Sequence, residues 1–118
     1  MSLTFYTAAM ASVFNLSCSG TEVRVGDAGV VGEREFAETY RVDLDNYIYC
    51  AGECDFSYQI AHIDQNLIQL PKEAKFDIIV NRTTGDYYSV DLRISNLTVM
   101  RNGTCKKVAF TGFPDRKF

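Results

Sequence analysis

From Phe36 onward the apolar residues fall on every second position. Phe36, Tyr40, Val42 and Leu44 share one side with Glu38 as a single polar interruption, and Thr39, Arg41 and Asp43 take the other. A period of two sends alternate side chains to opposite faces of a strand, whereas a helix needs apolar residues three and four apart. The same period recurs at Phe56, Tyr58 and Ile60, alternating with Ser57 and Gln59. It recurs again at Phe76, Ile78 and Val80, and at Tyr88, Val90, Leu92 and Ile94, with Asp91 and Arg93 between. A hairpin is expected over these last two runs, with Tyr88, Val90, Leu92 and Ile94 on the face of Phe76, Ile78 and Val80 and with Asp91 and Arg93 outward. Leu67 to Leu70 reads as a short strand after the Asp64-Gln65-Asn66 turn, stopped by Pro71. Long helical periodicity is missing.

Turn formers punctuate these runs. Gly26 and Gly29 mark a loop after Val23-Arg24-Val25, and Asp45-Asn46 marks another. Asn81-Arg82-Thr83-Thr84-Gly85-Asp86 is a hairpin loop in which Gly85 can supply a positive φ. Asn102-Gly103, the strongest two-residue hairpin signal, is expected to turn the chain between Leu97–Arg101 and Thr104–Phe110. The expected fold is all-β: a single antiparallel meander of about eight strands, closed into a small barrel or strongly curved sheet. A chain of 118 residues makes one domain. Residues 1–12 read as an N-terminal arm or the remnant of a signal segment, and 13–118 as the β domain.

Four cysteines, Cys18, Cys50, Cys54 and Cys105, suggest two disulfides in an exported protein. Four cysteines allow three connectivities. Cys50 and Cys54 enclose Gly52, so a tight loop closed by its own bridge is sterically reasonable, which leaves Cys18 to join Cys105. The competing use, a zinc site, would want Cys-x2-Cys pairs or added histidines, and the chain has one histidine, His62. No metal and no cofactor are expected. Ala9-Met10-Ala11 has the small-x-small pattern of a signal cleavage site, without the basic and long apolar stretches that precede one. A periplasmic or secreted location is therefore expected mainly from the cysteines. No apolar run approaches the ~20 residues of a transmembrane helix.

The net charge of −3 is unevenly spread. Residues 1–64 hold ten acids and three bases, while residues 65–118 hold five acids and nine bases. Either an acidic face meets a basic partner, or the two halves are neighbouring strands that neutralise each other across one sheet. The bases are scattered rather than grouped with aromatics, so no nucleic-acid partner is expected.

A catalytic device would have to use His62, which lies in the alternating run Ile60-Ala61-His62-Ile63-Asp64 and reads more simply as a hydrogen-bonded core or edge residue. No Gly-x-Ser-x-Gly elbow, phosphate loop or His-Glu-x-x-His is present, so no catalytic residue is assigned. Asp43, Asp45, Asn46 and Asp55 could gather around a hard cation but lack the ligand offsets of an EF-hand, and a turn explains Asp45-Asn46. Asn15, Asn81, Asn96 and Asn102 each begin an Asn-x-Ser/Thr acceptor pattern. Tyr40, Tyr47, Tyr49, Tyr58, Tyr87 and Tyr88 could line a pocket or an interaction surface, or simply pack across strands.

The layout resembles the small periplasmic inhibitors of c-type lysozyme. In that family one cysteine lies near the first strand and one near the last, as Cys18 and Cys105 do here. A Ser-Gly-x-x-Tyr hairpin motif is matched by Thr84-Gly85-Asp86-Tyr87-Tyr88, with threonine in place of serine. The chain also carries Cys18-Ser19-Gly20, Arg82-Thr83-Thr84-Gly85 and Gly103-Thr104-Cys105, a set similar to that of small exported β proteins of Gram-negative bacteria. The Cys50/Cys54 pair is additional. The resemblance implies an interaction loop of Arg82, Thr83, Thr84, Gly85, Asp86, Tyr87 and Tyr88 that enters the cleft of a basic hydrolase such as lysozyme. The leading expectation is a non-enzymatic exported β domain that binds a partner or serves a structural role. A lysozyme inhibitor and a small-ligand barrel with an aromatic cavity of at least a few hundred Å³ are the alternatives.

Overall fold

The structure, a computed structural model, describes residues 12–111. The expectations for residues 1–11, including Ala9-Met10-Ala11, lie outside the described residues. The described chain is all-β. Its strands are β1 (Val13–Gly26), β2 (Gly29–Asp43), β3 (Ile48–Ala51), β4 (Tyr58–Gln59), β5 (His62–Ile63), β6 (Leu67–Gln69), β7 (Phe76–Asn81), β8 (Asp86–Asp91) and β9 (Leu97–Val108). All pair antiparallel in one sheet of order β4-β3-β2-β1-β9-β8-β7-β6-β5. The sequence ends of the fold thus meet at the centre of the sheet, and its two edges come from mid-sequence.

Those edges belong to one segment. Tyr58 and Gln59 pair with β3, while His62 and Ile63 pair with β6. Between them the Ile60 amide donates to the Tyr47 carbonyl at 2.7 Å, and the Ala61 amide donates to the carbonyls of Gln69 and Leu70 at 3.1 Å. A strongly curled, half-barrel sheet is therefore bridged across its open side by a single stretch, residues 58–63. Splitting that stretch in two gives nine strands where about eight were expected. The change of partner also breaks the expected alternation. Ile60 is buried, but Phe56 and Tyr58 are exposed.

Both disulfides form as the spacing suggested, Cys18–Cys105 and Cys50–Cys54. Cys18 and Cys105 are direct partners across β1 and β9, so the bond staples the centre of the sheet. Two pairs further on, Gly20 faces Gly103. A Cβ on Gly20 would collide with the Asn102 carbonyl, and one on Gly103 with the Ser19 carbonyl. Phe36 pairs with Gly20 and Tyr87 with Gly103, so the two rings flank the glycine pair and meet at 5.3 Å. This close backbone approach corrects the reading of Asn102-Gly103. They lie in the middle of β9, and Gly103 is needed for its missing side chain rather than for a turn.

The core lies inside the curl and is apolar at one end of the long strands: Phe14, Leu16, Tyr40, Val42, Tyr49, Ile68, Ile78 and Val80 are buried there. The same strand faces turn polar toward the β1–β2 hairpin tip. Val13–Gly26 keeps one parity inward through Phe14, Leu16, Cys18, Gly20 and on to Glu22, which is buried.

The β7–β8 register overturns the expected faces of β8. Ile78 pairs with Ser89, Val80 with Tyr87 and Phe76 with Asp91. Tyr87, Ser89 and Asp91 thus share the inner face with Phe76, Ile78 and Val80, while Tyr88, Leu92 and Ile94 are exposed. The loop imposes this register. The Asn81 Oδ1 accepts the amides of Thr83 and Thr84, both at 2.9 Å, and the Gly85 amide donates to the Asn81 carbonyl at 2.8 Å. Gly85 has φ +82, and its carbonyl accepts the Cys105 amide at 2.7 Å.

Candidate functional site

The inward turn of Ser89 and Asp91 has counterparts in Arg101 on β9, Glu22 and Arg24 on β1 and Arg34 on β2, and together they make a polar chamber inside the half-barrel. Glu22 is its hub. Its side chain is 1% exposed, yet three guanidiniums reach it through their Nε atoms: Arg34 at 2.7 Å, Arg101 at 2.9 Å and Arg24 at 3.1 Å. The pairing explains the convergence, because Arg34 on β2 and Arg101 on β9 are the direct strand partners of Glu22 on either side. Burial alone would push this carboxyl up. The three charge-assisted hydrogen bonds outweigh burial and hold it at about 2. Arg101 also approaches Glu38 at 3.7 Å and lies over the Phe36 ring, 4.9 Å from its centroid.

Below this cluster the hydroxyls of Tyr40 and Tyr87 share a buried 2.7 Å hydrogen bond. Burial, then the neighbouring Tyr87 and Glu38, pushes the Tyr40 phenol up and keeps it neutral. Across the chamber Arg93 donates to both oxygens of Asp91, reaches Glu73 at 3.3 Å and caps the Phe76 ring at 3.9 Å. Arg93 is thereby bonded within the chamber rather than turned outward. Tyr49 and Tyr58 form a second aromatic pair at 5.7 Å near the mouth, and burial followed by Glu73 and Tyr58 pushes the Tyr49 phenol up to about 12.

Two adjoining cavities occupy this space. The larger, about 670 Å³, runs between Tyr40, Tyr49, Tyr58, Lys72 and Phe76. The smaller, about 240 Å³, runs between Glu22, Arg24, Ser89 and Val99. Tyr40, Phe76, Ile78, Arg93 and Arg101 line both. Cys50–Cys54 fixes one rim. It closes the turn after β3, where Gly52 has φ +61 and its amide donates to the Thr39 carbonyl at 3.0 Å.

Of the tyrosines singled out in the sequence, Tyr40, Tyr49, Tyr58 and Tyr87 line the chamber, while Tyr47 and Tyr88 are exposed. In the loop Arg82–Tyr88, Arg82, Thr83, Thr84, Asp86 and Tyr88 face solvent, Gly85 is half-buried and Tyr87 belongs to the interior. His62 sits outside the chamber on β5, exposed, with its Nε2 2.9 Å from Asp64. Asp43 serves a turn, accepting both the amide and the side-chain nitrogen of Asn46. Among the described residues no group of three histidine, cysteine or acidic side chains could hold a metal. Of the acceptor asparagines, Asn15 is buried with its Nδ2 on the Thr111 hydroxyl at 3.0 Å, and Asn81, Asn96 and Asn102 are exposed.

Glu22, Arg24, Arg34, Ser89 and Arg101 were missed from sequence. The readable signal was the unbroken parity Phe14, Leu16, Cys18, Gly20, Glu22, Arg24, which carries charge onto the core side of one strand. Among the described residues no helix is long and apolar enough to cross a membrane. Comparisons with protein-family models, with curated proteins and with solved structures find no match.

Proposed function

We propose that this protein is an exported, non-enzymatic binding domain whose small ligand sits inside the half-barrel. The observation that carries the reading is the pair of adjoining cavities walled by Tyr40, Phe76, Ile78, Arg93 and Arg101. Their size suits a small organic molecule, and aromatic walls with a few fixed polar groups are what such sites use. The inverted faces of β8 support it too. A fold that turns Ser89 and Asp91 inward and leaves Tyr88 and Leu92 in solvent gives up apolar burial, and conflicts of that kind concentrate at functional sites. Binding rather than catalysis is favoured because the chamber's charged groups are bonded to one another and His62 lies outside it. Export is supported by two disulfides, which persist in oxidising compartments.

The test uses N-phenyl-1-naphthylamine, an uncharged dye that fluoresces in apolar surroundings. Saturable binding is expected, and it should be lost in Ala51→Phe, which fills the larger cavity from the position paired with Tyr40. Absence of saturable binding, or binding indifferent to Ala51→Phe in a folded variant, would discard the reading.

A second reading, inhibition of a c-type lysozyme, rests on the exposed and internally braced loop Arg82–Asp86 with Tyr88 beside it. It predicts loss of bacteriolytic activity when micromolar protein is added. Unchanged lysis would remove it.

A further inference from the structure

The charges inside the half-barrel are not evenly divided along its length. Toward the hairpin tip the inner face holds Arg24, Arg34, Arg93 and Arg101 against Glu22 and Asp91. Arg101 also approaches Glu38 and Arg93 also reaches Glu73, whereas Arg24 and Arg34 have only Glu22. The hairpin-tip end of a chain of net charge −3 thus lines its smaller cavity with three arginines, Arg24, Arg93 and Arg101, against two acids, Glu22 and Asp91. That end is also pre-built. Arg24 and Arg34 are held on the same Glu22 oxygen through Nε alone, which leaves the fork of each guanidinium, its Nη nitrogens, without a hydrogen bond to the described residues. Arg24 and Arg34 are 42% and 62% exposed, so those forks are open to an incoming group. Bringing three guanidiniums onto one carboxylate costs like-charge repulsion, and an anion is the partner that relieves it.

We infer that the ligand is an amphipathic organic anion, with its acidic group against the forks of Arg24 and Arg34 and its apolar body along Phe76, Ile78 and Tyr40. This deepens the interior-ligand reading and rests on it. A carboxylate, sulfonate or phosphate would serve equally as head group, because each offers paired oxygens to a planar fork. The smaller cavity is lined by Arg24, Phe76 and Ile78 together, and Arg34 adjoins that lining through the Glu22 oxygen it shares with Arg24.

Two dyes that differ by one acidic group separate the two claims. 8-Anilinonaphthalene-1-sulfonate is N-phenyl-1-naphthylamine with a sulfonate added. The sulfonate should bind at least about tenfold more tightly than the neutral dye, the gain of one charge-assisted contact. Arg24→Gln with Arg34→Gln should bring the sulfonate down to the affinity that the neutral dye shows for the same variant, with circular dichroism reporting that the variant is folded. Arg24→Lys with Arg34→Lys should keep most of the preference. If the neutral dye binds as well as the sulfonate, or if the sulfonate's advantage survives the glutamine variant, the anion inference is overturned and the cavity reading stands. If neither dye binds, both fall.

Discussion

Removing the charge of Glu22 tests the chamber's polar framework without touching its apolar walls. Glu22→Gln keeps the size of the side chain and leaves Arg24, Arg34 and Arg101 without their common anion. The carboxyl is held at about 2 in the folded protein against an ordinary 4.5. A drop of that size corresponds to at most about 3 kcal/mol of stability, reduced somewhat because water screens the exposed arginines. Since the folded value lies below the ordinary one, this contribution is full above about pH 4.5 and drains away as pH falls toward 2. Urea unfolding at pH 7 should give a variant weaker by about 2–3 kcal/mol, a midpoint shift of roughly 1–3 M for ordinary denaturant slopes. The deficit should shrink between pH 4.5 and pH 3. A variant as stable as the parent at pH 7, or a deficit that stays constant from pH 7 to pH 3, would refute the reasoning.

Selective removal of the disulfides should be unequal. In the chain-entropy picture the 87-residue separation of Cys18–Cys105 is worth about 4–5 kcal/mol and the four-residue separation of Cys50–Cys54 about 2 kcal/mol, so serine pairs at each should rank that way in urea. Gly103→Ala should destabilise by more than about 3 kcal/mol or abolish folding, since its Cβ would collide with the Ser19 backbone carbonyl. A thermal melt within a few degrees of the parent would contradict the close approach. Tyr40→Phe removes one partner of the buried hydroxyl pair and should cost about 1 kcal/mol by urea unfolding, and an unchanged midpoint would mean that the pair is not formed in solution.

Much of the fold was legible because half-buried strands write their period into the chain. Phe36, Tyr40 and Val42 face the core as their spacing predicted, and both cystines follow from their separations. The candidate site was not legible, for a related reason. Reading alternation as apolar-in fails where the inside is polar, and Tyr88 and Val90 drew attention to what proved the outer face of β8. Only the register set by the Asn81 loop and the Gly20–Gly103 contact reveals which parity points inward. Asn102-Gly103 misled similarly. A strong turn signal and a site of close strand approach both call for glycine, and only the partner strand tells them apart.

The claim on which the rest depends is that the inner chamber, rather than the outer apolar surface, receives a ligand. The direct measurement is a set of intermolecular nuclear Overhauser effects from bound N-phenyl-1-naphthylamine to assigned side chains. Contacts to Tyr40, Tyr49, Phe76 and Ile78 are the predicted result. Contacts confined to Tyr88, Val90 and Leu92, on the outer face of β8 and just beyond it, would contradict the claim.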